Sequence, residues 1–123
     1  MRLWHQDLII KLPSQQLLGQ HRELCALRGL GWNKRHSVVD YVFEYPYEYL
    51  YAFHLLVMNE MENRGYQVDE LWKNMCYRGK RIGFDTFLLN QGMVVIDRPI
   101  YQEHNDTYLQ ECIDNLHRKG VDI

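Results

Sequence analysis

Arg22 and Glu23 stand side by side in Gln15-Gln16-Leu17-Leu18-Gly19-Gln20-His21-Arg22-Glu23-Leu24, a segment close in sequence to the first residue, Met1. With an α-amine, these residue types form a chemically coherent set. A free α-amine ionises near about 7.7–8, against about 10.4 for lysine, so much of it is a neutral nucleophile near pH 7. Attack on a sugar or carbonyl carbon gives a Schiff base. A carboxylate beside it steadies the cationic intermediate and moves protons. An arginine beside both holds phosphate through two parallel hydrogen bonds. Without the amine, an Arg-Glu pair on a helix is an ordinary solvated face.

Other chemistries find no motif. The sequence has no G-x-G-x-x-G, no Walker loop, no H-E-x-x-H and no G-x-S-x-G. Its six histidines do not fall four apart on one helix, so His5, His21 or His54 would meet Cys25 only through tertiary folding. No metal and no cofactor is expected. Cys25, Cys76 and Cys112 are odd in number, widely spaced and without a C-x-x-C, which fits reduced thiols and a cytoplasmic protein.

The elements that must position these residues are helical. A first helix begins after Pro13, with Ser14 as its N-cap, and runs to Arg28 before Gly29. Its apolar stripe is Leu17, Leu18, Leu24 and Cys25, with Glu23 opposite and Arg22 on the flank. A second helix spans Pro46 to Arg64, with Leu50, Phe53, Val57 and Met61 at helical spacing. A third spans Asp106 to Lys119, capped by Asn105 or Asp106, with Leu109, Cys112, Ile113 and Leu116 as its stripe. Its cationic last turn suits the helix dipole. Residues 66–104 read as a long irregular loop in which Thr86–Leu89 and Met93–Ile96 are short apolar runs. The expectation is a mainly α, compact single domain over residues 1–123.

At 123 residues the chain is long enough for one sizeable core. Its formal net charge of −2 excludes a protein that is basic throughout, so any nucleic-acid site is a local patch. Residues 1–36 hold six Lys/Arg against two acids, and residues 37–72 one against seven. Farther on, Lys73, Arg78, Lys80 and Arg81 fall within nine residues. No apolar window of about 18 residues exists to span a membrane. The alternate aromatics Tyr41, Phe43, Tyr45, Tyr47, Tyr49 and Tyr51 are read as core lining, with an exposed patch as the competing reading.

Arg2-Leu3 followed by the 15–24 segment resembles the opening of the pyrimidine-dimer DNA glycosylases of the phage endonuclease V type. Lys34-Arg35-His36 resembles the basic turn after that family's first helix. Leu50 to Tyr66, ending Glu62-Asn63-Arg64-Gly65-Tyr66, resembles its second helix, and Tyr77-Arg78-Gly79 a motif of its later loop. Gln16 stands where the family pattern has His, and Ala26 where it has Arg. The resemblance implies a metal-free repair glycosylase with abasic-site β-lyase activity, a monomer acting on damaged double-stranded DNA. It implies Met1 as the source of the amine, with the initiator retained before bulky Arg2, and Glu23 as the essential carboxylate. It implies Arg2, Arg22, Arg28, Lys34, Arg35 and His36 as DNA-binding residues. The alternative is a non-catalytic nucleic-acid-binding module on the same scaffold.

Overall fold

The computed structural model describes residues 2–29, 40–85 and 100–123. Met1, Lys34, Arg35 and His36 lie outside the described residues, as do the runs Thr86–Leu89 and Met93–Ile96. The structure is mainly helical: α1 is Ser14–Arg28, α2 is Tyr47–Asn63 and α3 is Asp106–Arg118. Short 3₁₀ turns occupy Gln6–Lys11, Asp40–Glu44 and Glu70–Lys73.

The start of α1 differs by one residue from the sequence reading. Pro13 is the cap residue, its carbonyl accepting the first helical bond from Leu17 N–H at 3.0 Å, and no side chain caps this end. Proline's fixed φ already supplies the turn into the helix, so Ser14 is the first helical residue and not its N-cap. At α3 the expected cap holds, with Asn105 Oδ1 accepting from Tyr108 N–H at 2.9 Å. Gly29 ends α1 where a Cβ would meet the Arg78 carbonyl oxygen at 3.1 Å. A larger residue here would push the later loop back by a few tenths of an ångström.

The core forms where the faces of α1 and α2 meet the N-terminal segment. Leu50, Phe53, Val57 and Met61 of α2 are buried with Leu3, Leu8, Leu17, Leu24 and Leu27. From α3, Cys112 and Leu116 are fully buried, while Leu109 and Ile113 lie partly buried against the core. The Tyr41–Tyr51 aromatics pack on this core, Tyr47 within it and the others at its rim, so they form no free patch. Arg64 closes the far end: Nε donates to Glu60 at 2.7 Å, and its terminal nitrogens donate to the carbonyls of Leu12 and Ile10.

Candidate active site

The first residues lie along α1 because one side chain grips them. Gln20 is 1% exposed, and its amide behaves like a strand partner. Oε1 accepts from Trp4 N–H at 2.7 Å, and Nε2 donates to the Arg2 carbonyl at 3.0 Å. The same Nε2 lies 3.2 Å from Glu23 Oε2. The Arg2 backbone N–H favours the charged form of the Glu23 carboxylate. The chain's start and the carboxylate nine residues past the helix start are thus joined by one hydrogen-bonded network. Tyr108 of α3 completes it by donating its hydroxyl to the Leu3 carbonyl, with the Arg2 guanidinium 5.9 Å from the Tyr108 ring centre.

A cavity of about 390 Å³ opens over this network. Arg2, Trp4, Gln16, Gly19, Gln20 and Glu23 line one side, and Asn115 of α3 with Lys119, the residue that caps it, line the other. Lys119 Nζ sits 5.2 Å from the Trp4 ring centre. Arg22 is exposed, and its guanidinium folds back over Gly19, 3.8 Å from where a Cβ would stand. The cavity therefore presents cations around a single carboxylate. Burial raises the Glu23 carboxyl above its usual value, against the opposing pull of Lys119, Arg22 and the Arg2 N–H. Asn115 Oδ1 is buried with no hydrogen-bond partner among the described residues, so an acceptor is left for a bound group.

Glu23 is not opposite the buried side of α1 in the simple sense expected. α1 is covered on one flank by α2, and on another residues 2–4 bond to it through Gln20, so Glu23 is half-buried. Gln20, Trp4, Asn115 and Lys119 were missed. The usable signal was two polar series at helical spacing, Gln16-Gln20-Glu23 and Asn115-Lys119. Each reads alone as a solvated face, and only the tertiary fold turns them toward one another.

Arg28, expected at DNA phosphates, is instead fully buried. Its five N–H groups are all taken. Nε donates to Tyr47 Oη, and the two terminal nitrogens donate to His54 Nδ1 and to the carbonyls of Trp72, Asn74 and Tyr77, at 2.7–3.0 Å. The guanidinium also lies about 5 Å from the rings of Trp72 and Tyr51. No N–H remains for a phosphate.

His21, Cys25 and His54 come together, their donor atoms within 4.8 Å of one another, as a metal site would need. Arg28 decides their chemistry. Arginine only donates, so His54 Nδ1 accepts, Nε2 carries the proton, and that N–H donates to His21 Nδ1 at 2.8 Å. A metal-binding imidazole donates its second N–H to an acceptor, whereas the second nitrogen of His54 faces a cation. The Cys25 thiol is pushed up to about 12 by burial and stays protonated. The trio suits a neutral hydrogen-bonded core better than a cation.

Burial holds His54 well below the usual 6.5, lowers His21, and brings His104 down to about 3. His104 is locked neutral by geometry too: Nδ1 accepts from Gln6 N–H at 3.1 Å, leaving Nε2 to meet Tyr41 Oη at 2.8 Å. Below pH 6.5 the unfolded chain takes up protons that these folded histidines refuse. Stability is therefore expected to be full above about 6.5 and to fall as pH drops toward about 3, by up to ~1.4 kcal/mol per pH unit for each such histidine. Urea midpoints across this range test it, and a flat profile would contradict it.

A family model of pyrimidine dimer DNA glycosylases matches residues 1–74. No curated protein and no solved structure matches the chain. The matched span holds α1, α2, Arg2, Gln20, Arg22 and Glu23, leaving only the α3 wall of the cavity outside it. With more than half its length and the carboxylate side of its cavity inside that match, the chain belongs to the pyrimidine dimer DNA glycosylase family.

Proposed function

We propose that the cavity excises pyrimidine-dimer bases from damaged duplex DNA and then cleaves the strand as an abasic-site lyase, through an imine on the Met1 α-amine. The observation that carries this reading is Gln20 Nε2, which donates to the Arg2 carbonyl at 3.0 Å and lies 3.2 Å from Glu23 Oε2, so that Arg2 and the carboxylate share one partner. Arg2 N is one residue from the first nitrogen of the chain, so covalent geometry keeps that amine within about 4 Å of Arg2 N. The carboxylate is then close to any carbon the amine attacks.

The amine nitrogen bonds to C1′ as the glycosidic bond breaks and the base leaves with its electron pair. The amine gives up a proton and its lone pair forms the C1′=N bond as the C1′–O4′ bond breaks; O4′ keeps that electron pair and takes up a proton, and the Glu23 carboxylate steadies the resulting cationic imine. Removal of a C2′ proton then expels the 3′ phosphate by β-elimination. A carboxyl with a raised pKa suits both proton steps near neutral pH. Arg2 and Arg22, with Lys34, Arg35 and His36, hold phosphates around the lesion.

The test is borohydride trapping of untagged protein on two duplexes, one with an abasic site and one with a cyclobutane pyrimidine dimer. A covalent protein–DNA adduct is expected on both, and none after any residue is added before Met1. Duplex binding without trapping on either substrate would overturn the reading and leave a binding module.

A further inference from the structure

The four clustered cations Lys73, Arg78, Lys80 and Arg81 are not equivalent. Lys73 Nζ is held by Glu62 at 2.7 Å and Glu70 at 3.5 Å. Arg78 donates to the Arg28 carbonyl at 2.7 Å and pairs with Asp85 at 3.3 Å. Lys80 and Arg81 are exposed and make no ion pair or hydrogen bond through their side chains among the described residues.

These two cations stand on a tight, braced loop. Gly79 and Gly83 take φ of +99° and +74°, a region open to glycine, and Gly83 N–H bonds the Gly79 carbonyl at 2.7 Å. Below the tip, Arg78 N–H donates to the Gly83 carbonyl at 2.8 Å and Asp85 N–H to the Cys76 carbonyl at 2.7 Å, beside a bridge between Tyr77 and Phe84. Arg78 anchors the base of the loop to the end of α1. Two large apolar side chains share the projection, Ile82 at 41% and Phe84 at 52% exposure.

We infer that residues 79–84 form a prong that grips duplex DNA, with Lys80 and Arg81 on two phosphates and Ile82 packed into the groove between them. Paired surface cations contribute little, but two unpaired ones on a rigid tip each displace a counterion from a phosphate. The exposed apolar side chain of Ile82, next to them on the same tip, is of the kind that enters a minor groove as a wedge. The choice of duplex DNA rests on the function proposed above, and it supplies basic contacts to a chain whose net charge is −2.

The test measures the salt dependence of binding to a short labelled duplex carrying tetrahydrofuran, an uncleavable abasic analogue. Lys80→Ala with Arg81→Ala is expected to reduce the slope of log K against log salt by about 2, with unchanged melting temperature. Ile82→Ser is expected to weaken binding several-fold at every salt concentration with the slope intact. An unchanged slope in the double variant, while the wild type binds, overturns the prong and spares the function reading. Loss of binding to anionic vesicles, with no loss on DNA, overturns it in favour of a membrane surface. A wild type that does not bind the duplex at all overturns both.

Discussion

Glu23→Gln is expected to abolish strand cleavage and, near neutral pH, to raise the melting temperature. The two effects share one cause. Burial raises the Glu23 carboxyl, so the folded protein holds a partly desolvated carboxylate at a free-energy cost. The substitution removes that charge and keeps an oxygen for the bond from Gln20 Nε2. On the proposed mechanism it also removes the carboxylate that steadies the imine and moves protons, an effect of at least about 100-fold for a positioned acid–base group. The stability gain has a defined pH window. It is full above the raised folded value, shrinks as wild-type Glu23 becomes protonated, and vanishes below the ordinary carboxyl value of 4.5. Melting curves and nicking rates measured from pH 4 to pH 8 check both halves. A variant that nicks at the wild-type rate would remove Glu23 from the chemistry.

Arg28→Lys is expected to destabilise the fold by about 2–6 kcal/mol, although it conserves charge. Lysine has three N–H donors on one nitrogen, where Arg28 satisfies five acceptors spread over a plane. At least two of the five lose their donor, and a buried unsatisfied acceptor costs about 1–3 kcal/mol. That loss is a large share of the roughly 5–15 kcal/mol by which domains are stable. Urea denaturation reads the effect directly. A cost under about 1 kcal/mol would mean that the carbonyls of Trp72, Asn74 and Tyr77 are not fixed by this side chain.

The contrast between these two residues shows what the sequence makes legible. α2 and α3 could be read because each buries one stripe, so period and burial agree. α1 was legible as a helix but not in its surroundings, since α2 covers one flank, residues 2–4 bond to another through Gln20, and its own polar residues face a cavity. Glu23 and Arg22 stood out through their neighbours in sequence. Arg28 sits in the same segment and looks the same on paper. Nothing local distinguishes an arginine that faces solvent from one whose acceptors lie 19 to 49 residues away. Gln20 was invisible for the same reason, because its partners Arg2 and Trp4 are backbone groups, and backbone groups have no residue type.

The hold of residues 100–108 on residues 2–6 orders the assembly of the cavity. The Leu3 carbonyl takes its bond from Tyr108, Gln6 N–H donates to His104, and Gln6 Oε1 accepts from Ile100 N–H. Synthesis delivers residues 2–6 about a hundred residues before Ile100, His104 and Tyr108, which restrain them. A nascent or prematurely stopped chain carries Glu23 and Gln20 but has neither the Tyr108 latch nor the Asn115 and Lys119 wall. The cavity can take its folded form only once residues 100–119 have been made, and a chain stopped before them lacks that wall.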